Sequence, residues 1–276
     1  RTPGSETARI VIVAAGSLGS TELLLRCRDE NKSLPNISQR LGHNWSSNGD
    51  FLTPAIYANR KIYPDRGPTI SSAIDFLDGS DGGQSFWIED GGMPNLLGDR
   101  LTMGVGKIAK GLNAESLITG IQNFLRNSSA TNNVMPWFAQ GVDAGDGTLS
   151  LKRPWWQFGF GSKRLHLNWD VTKSRPVMDA IVNMHRQLSD KTKGTPLVPP
   201  GWTFSHDLIT PHPLGGCNMG DTAAAGVVNH KGEVFGYKNL FVADGAIIPT
   251  ALGVNPSRTI GALAERIAKH IAEEGR

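Results

Sequence analysis

Cysteine is scarce, long apolar runs are missing, and neither sign of charge dominates. Two cysteines in 276 residues, Cys27 and Cys217, supply no disulfide framework and no metal-ligand cluster. No apolar stretch approaches the ~20 residues that a bilayer-spanning helix needs. A net charge of +3, spread rather than clustered, argues against a nucleic-acid or membrane-surface binder. Internal repeats and low-complexity tracts are missing too. So is the dinucleotide fingerprint G-x-G-x-x-G: the turn Gly16-Ser17-Leu18-Gly19-Ser20 lacks its spacing, and no acidic residue stands near position 36 to hold a ribose. That disfavours a primary nicotinamide site at this turn.

What remains is a globular composition, 39% hydrophobic and 19% charged. The 33 glycines and 16 prolines imply many turns and long loops, in one large domain or two modest ones. Arg9 to Ala15 is a continuous apolar run, as for a parallel strand covered on both faces, followed by a Gly turn and a helix predicted over Thr21 to Arg28. Asn239 to Ala243 reads as a second buried strand, closed by Asp244-Gly245. Asn255-Pro256 reads as a helix start, with Asn capping and Pro in the first turn. Ile260, Leu263, Ala264, Ile267 and Ile271 follow at helical spacing, and Glu265 can pair with Lys269. A strand end and a helix N-terminus aimed at one place can hold a cofactor's negative charge; an ordinary strand–loop–helix unit is the alternative.

Between these ends the pattern loosens. Phe51 to Tyr57 and Ser85 to Glu89 are short strand-like runs, and a helix is predicted over Asn113 to Leu125. Gly147 to Leu151 and Leu165 to Trp169 read as a hairpin around Pro154-Trp155-Trp156. Pro176 opens a helix with Val177, Ile181, Met184 and Leu188 on one face. A loop is expected from Ser189 to Trp202. This middle is predicted to be a mainly antiparallel sheet with helices, separate from the α/β frame. Trp87, Trp137, Trp155, Trp156 and Trp169 are candidates for a bulky apolar pocket or simply for core.

Two positions stand out chemically. His212, in Thr210-Pro211-His212-Pro213-Leu214-Gly215-Gly216-Cys217, is an imidazole on restrained backbone and suits proton transfer near neutral pH. Glu89 follows three large apolar residues; desolvation there would raise its pKa and suit it to acid–base work, whereas an exposed strand-end Glu would do neither. His166, His185, His206 and His230 have no comparable setting and read as surface or structural. Cys217 reads as a small buried filler rather than a reactive thiol.

H-P-L-G-G-C from His212, G-Y-K-N-L-F-V-A-D-G-A-I-I-P from Gly236 and G-V-N-P-S-R-T-I-G-A-L-A-E-R from Gly253 together resemble the C-terminal end of the glucose–methanol–choline (GMC) flavoprotein oxidoreductases, most like their cholesterol oxidase branch. A-A-G-S-L-G-S-T-E-L-L-L-R from Ala14, Asn48-Gly49-Asp50 and E-x-x-x-M-P from Glu89 extend the likeness. The resemblance implies an α/β (overall α+β) architecture: a Rossmann-like FAD-binding domain, incomplete here, in residues 1–43 and 232–276, and a substrate domain in 44–231. It implies FAD as cofactor, a sterol or other bulky alcohol as substrate and oxygen as acceptor. It assigns His212 to the substrate hydroxyl, Asn255 to the flavin and substrate, Glu89 to a proton shift during steroid double-bond isomerisation, and Asp244, Gly245, Asn255, Pro256 and Ser257 to the flavin side. Ser257, where relatives often carry an aromatic, and Trp87 and Asp90-Gly91-Gly92 depart from the pattern and leave room for a smaller or more polar alcohol. The family's fingerprint strand is not in the sequence, so the chain is expected to be a C-terminal portion, with any secretory leader ahead of Arg1.

Overall fold

The computed structural model describes residues 4–92, 131–153, 161–199 and 210–274. The helix predicted over 113–125 and the Pro154-Trp155-Trp156 turn lie outside them. The chain divides into two compact units. The first comprises Arg1–Gly49, Gly141–Pro176 and Ile209–Arg276; the second comprises Asp50–Gln140 and Val177–Leu208.

In the first unit, β1 (Val11–Val13) pairs in parallel with β9 (Leu240–Val242), Ile12 opposite Phe241. Both strands were expected from their apolar runs. The burial of β1 was not met: Val13 is buried, but Val11 and Ile12 are 48% and 51% exposed. Helix α1 (Gly16–Leu25) begins earlier than predicted, at the supposed Gly turn. Gly16 makes the reversal alone, with φ +77°, so that Ser17, Leu18 and Gly19 are already helical. Strands β6 (Thr148–Lys152) and β7 (Arg164–Asn168) form the expected antiparallel hairpin, Ser150 opposite His166. Helix α3 (Ser257–Glu273) closes the unit, burying Ile267, with Leu263 and Ile271 packed on the core. That core gathers Leu24, Leu25, Trp45, Leu149, Leu214, Phe241 and Ile247. Trp169 packs edge-on against Trp45, a core role rather than a pocket wall.

The second unit carries a five-stranded sheet in the order β3-β4-β5-β2-β8. Its members are β2 (Phe51–Ile56), β3 (Ala73–Asp81), β4 (Gln84–Asp90), β5 (Val134–Gly141) and the two-residue β8 (Thr195–Pro196). β2 runs antiparallel to β5 and β8, and β3 antiparallel to β4. Helix α2 (Arg175–Lys191) extends past Ser189, so the loop predicted from there is shorter and holds β8. Its buried side chains are Val177, Met178, Ile181, Val182, His185 and Ser189, so Val177 and Ile181 of the predicted face are buried while Met184 and Leu188 are half-buried at its margin. His185 belongs to this core, fully buried.

Candidate functional site

The His212 segment of the first unit is fixed to the turn behind β9 by a run of backbone hydrogen bonds. The N–H groups of Gly215, Cys217 and Met219 donate to the carbonyls of Gly245, Ala246 and Ile247 at 3.0, 2.9 and 2.9 Å. Leu214 and Ser46 exchange both their bonds, at 3.0 and 3.1 Å. The two glycines are required by close approach: at Gly215 (φ +80°) a Cβ would strike the Asn44 carbonyl, and at Gly216 (φ +102°) the Thr21 hydroxyl. A Cβ built on Gly245 would stand 3.2 Å from Ile260 of α3 and 3.5 Å from the Pro213 carbonyl oxygen. The backbone next to His212, the Asp244-Gly245 turn and the first turns of α3 therefore meet at one point.

Asp244 is buried and its carboxylate is fully engaged by the protein. One oxygen accepts from the Gly16 N–H at 2.9 Å and from the Ser20 hydroxyl; the other accepts from the Ala246 N–H at 2.8 Å. A negative charge at the positive end of α1 is favourable, and it ties β9 to the β1–α1 turn. Ser17 of the same helix donates to the Gly215 carbonyl at 2.8 Å. The structure thus gives Asp244 the work of joining elements, with Gly245 as the residue of close approach.

His212 is half-buried, and its N–H donates to the Thr210 hydroxyl oxygen at 2.9 Å. The expected cap on α3 is displaced: the N-cap is Pro256, and Asn255 stands one residue outside the helix. Pro256 is buried, Asn255 half-buried and Ser257 exposed. The first turn of α3 has neither a side-chain cap nor an acidic residue. Its leading N–H groups and the helix dipole suit an anionic partner there. Cys217 is fully buried beside the Thr21 hydroxyl at 3.6 Å, and burial pushes its thiol up to about 12. It is a filler, as its setting in the sequence implied.

In the second unit, Glu89 is 2% exposed, so of its two open readings the buried one is found. Trp87 donates to one carboxylate oxygen through Nε1 at 3.0 Å, and Gln140 of β5 to the other through Nε2 at 3.2 Å. Asp90 is half-buried and receives the N–H groups of Ser71 and Ser72 at 2.8 and 2.7 Å and the Ser71 hydroxyl. Burial alone would raise its pKa, but these hydrogen bonds outweigh it and hold the carboxyl below its usual range. Gln140 escaped the sequence reading because strand pairing, not local pattern, brings it to Glu89. Ser46, Ser47, Asn48 and Asp143 escaped it as well; their only sequence signal was the Asn48-Gly49-Asp50 turn.

The first unit carries a parallel β–α element and the second a sheet with antiparallel pairs, and the fold is shared with FAD-binding GMC oxidoreductases. Pyridoxine 4-oxidase from Mesorbium loti superposes with a TM-score of 0.59 at 17% identity, covering 96% of this chain and 51% of that one. Residues 145–264 match the C-terminal domain of the GMC oxidoreductase family. It is 30% identical to a cholesterol oxidase of Acinetobacter baumannii over 96% of this chain and 49% of that protein. It is 43% identical to a long-chain-alcohol oxidase of Arabidopsis thaliana over 26% of this chain and 9% of that protein. The chain spans about half the length of the curated relatives that match most of it.

Proposed function

We propose that this chain carries the substrate-facing and flavin-facing C-terminal portion of an FAD-dependent enzyme that oxidises a CH–OH group, with a 3-hydroxysteroid as substrate and oxygen as acceptor. The observation that carries the reading is the meeting of the His212 segment, the Asp244-Gly245 turn and the start of α3 within a few ångströms. Asn255 and the uncapped first turn at Pro256 and Ser257 suit the electron-rich edge of a flavin, worth about 0.3–2 kcal/mol from the helix dipole alone. FAD, when bound, supplies the hydride acceptor. The chain's own residues handle the proton. A neutral ring nitrogen of His212 accepts the hydroxyl proton of the alcohol, and Asn255 orients that hydroxyl. Glu89, held by Trp87 and Gln140, takes up and returns a carbon-bound proton if the product steroid is isomerised.

The sterol assignment draws on the likeness to cholesterol oxidase, which extends along nearly the whole chain. A second reading, oxidation of a non-sterol alcohol with a different electron acceptor, draws on shorter likenesses to the long-chain-alcohol oxidase and, at 32% identity over 41% of this chain, to 2-methyl-1,2-propanediol dehydrogenase of Mycolicibacterium austroafricanum. Peroxide release in air separates them. The flavin-loaded protein is expected to form one peroxide per 3-hydroxysteroid consumed and to be slow with long-chain primary alcohols. The reverse order of substrates supports the second reading. Turnover without peroxide, restored by an artificial electron acceptor, identifies a dehydrogenase.

A further inference from the structure

We propose that Asn48 is a positioning residue that sets the spacing of His212 and Asn255 from one buried turn; the inference rests on the reading of those two as the groups that meet the alcohol. Asn48 is fully buried, and every polar atom of its side chain is spent on the segment that leads into Asn255. Its Oδ1 accepts from the N–H groups of Leu252 at 2.9 Å and Gly253 at 3.1 Å, and its Nδ2 donates to the Val254 carbonyl at 2.9 Å. One amide thus fixes groups of three consecutive residues immediately before Asn255. The preceding residue holds the other partner: the Ser47 carbonyl accepts the Thr210 hydroxyl at 2.8 Å, and Thr210 in turn accepts the His212 N–H at 2.9 Å.

The turn itself is locked from behind. Asp143 is buried and accepts from the Ser46 hydroxyl at 2.7 Å, the Ser47 N–H at 2.9 Å and the Ser47 hydroxyl at 2.8 Å. The Ser46 hydroxyl oxygen also accepts the Asn48 N–H at 2.8 Å. Asparagine fits this place for two reasons. It tolerates the left-handed backbone, here at φ +58°, better than most residues, and its amide offers both an acceptor and a donor. Aspartate keeps the acceptor and loses the bond to Val254. Glycine keeps the backbone angle and loses all three bonds. Freed of the clamp, residues 252–254 would let Asn255 drift relative to His212, and a drift of about 1 Å is enough to slow a reaction ~10²-fold.

The test is a mutant cycle on the flavin-loaded protein. Asn48→Gly is expected to lower kcat about 10–100-fold with KM changed less than about threefold, and Asn48→Asp to fall between it and the parent. In an Asn255→Ala background the same Asn48→Gly change should cost less than about threefold, because nothing is left to position. An equal cost in both backgrounds marks a general structural loss and overturns the proposal. A second readout needs no turnover: in Asn48→Gly the amides of Leu252 and Gly253 should exchange with solvent at least about tenfold faster while that of Val242 in β9 is unchanged. Uniform acceleration likewise overturns it. If Asn48→Gly does not fold, Asn48→Asp carries both measurements. Should His212→Asn and Asn255→Ala leave turnover within about threefold, the paired reading falls and the proposal with it; slow His212 and Asn255 variants beside a fast Asn48→Gly sink the proposal alone.

Discussion

At the scale of single residues, environment separates groups that look alike in the sequence. Both cysteines are free, but burial pushes Cys217 to about 12, whereas Cys27 is only partly buried. The reactive species is the thiolate, so a thiol reagent at neutral pH should label Cys27 alone in the native protein. Mass spectrometry of the labelled chain checks this, and Cys217 should react only after unfolding. Glu89 and Asp90 are neighbours with different partners. Glu89→Gln is expected to spare alcohol oxidation while abolishing steroid isomerisation, read by comparing flavin reduction with formation of the conjugated enone product. Equal loss of both would refute the division between Glu89 and His212. His212 stands out in the sequence by its setting between two prolines and ahead of two glycines. Gln140 does not, because a hydrogen bond between positions 51 residues apart has no local signature.

At the scale of elements, two side chains inside the framework have consequences that can be measured. Asp244→Ala would leave the Gly16 N–H, the Ser20 hydroxyl and the Ala246 N–H without their acceptor, at a cost of about 2–4 kcal/mol. Urea unfolding should show that loss. A change under about 0.5 kcal/mol would mean that Asp244 does not join β9 to α1. In α2, burial lowers the pKa of His185 to about 3, and the nearby Phe138 backbone, which favours the charged form, does not offset it. Neither ring nitrogen has a hydrogen bond of good geometry. The unfolded chain therefore takes up this proton first, near pH 6.5, and the folded one only near 3. Stability should fall with pH between those values, by up to ~1.4 kcal/mol per unit from this group. His185→Leu should flatten that slope in urea titrations between about pH 6 and 4, and an unchanged slope would contradict the assignment.

Periodicity made β9, the β6–β7 hairpin and α3 legible. The start of α1 was not, because Gly16 alone makes the turn that five residues were expected to share. The buried stripe of α2 reaches further round than predicted because His185 and Ser189 do not look apolar in sequence.

At the scale of the whole molecule, the family and its fold were legible from three C-terminal motifs, while the exposure of β1 was not. An apolar strand reads as buried, whereas among the described residues β1 pairs with β9 alone and Val11 and Ile12 are exposed. The central claim concerns the flavin-loaded protein: His212 takes the proton as the alcohol is oxidised. Stopped-flow mixing with a 3-hydroxysteroid under anaerobic conditions tests it most directly. The oxidised flavin band should bleach on mixing and return on admitting air, with bleaching slowed ~10²–10⁴-fold in His212→Asn. Bleaching slowed less than about tenfold in that variant, or no bleaching by any alcohol in the parent protein, would contradict the account.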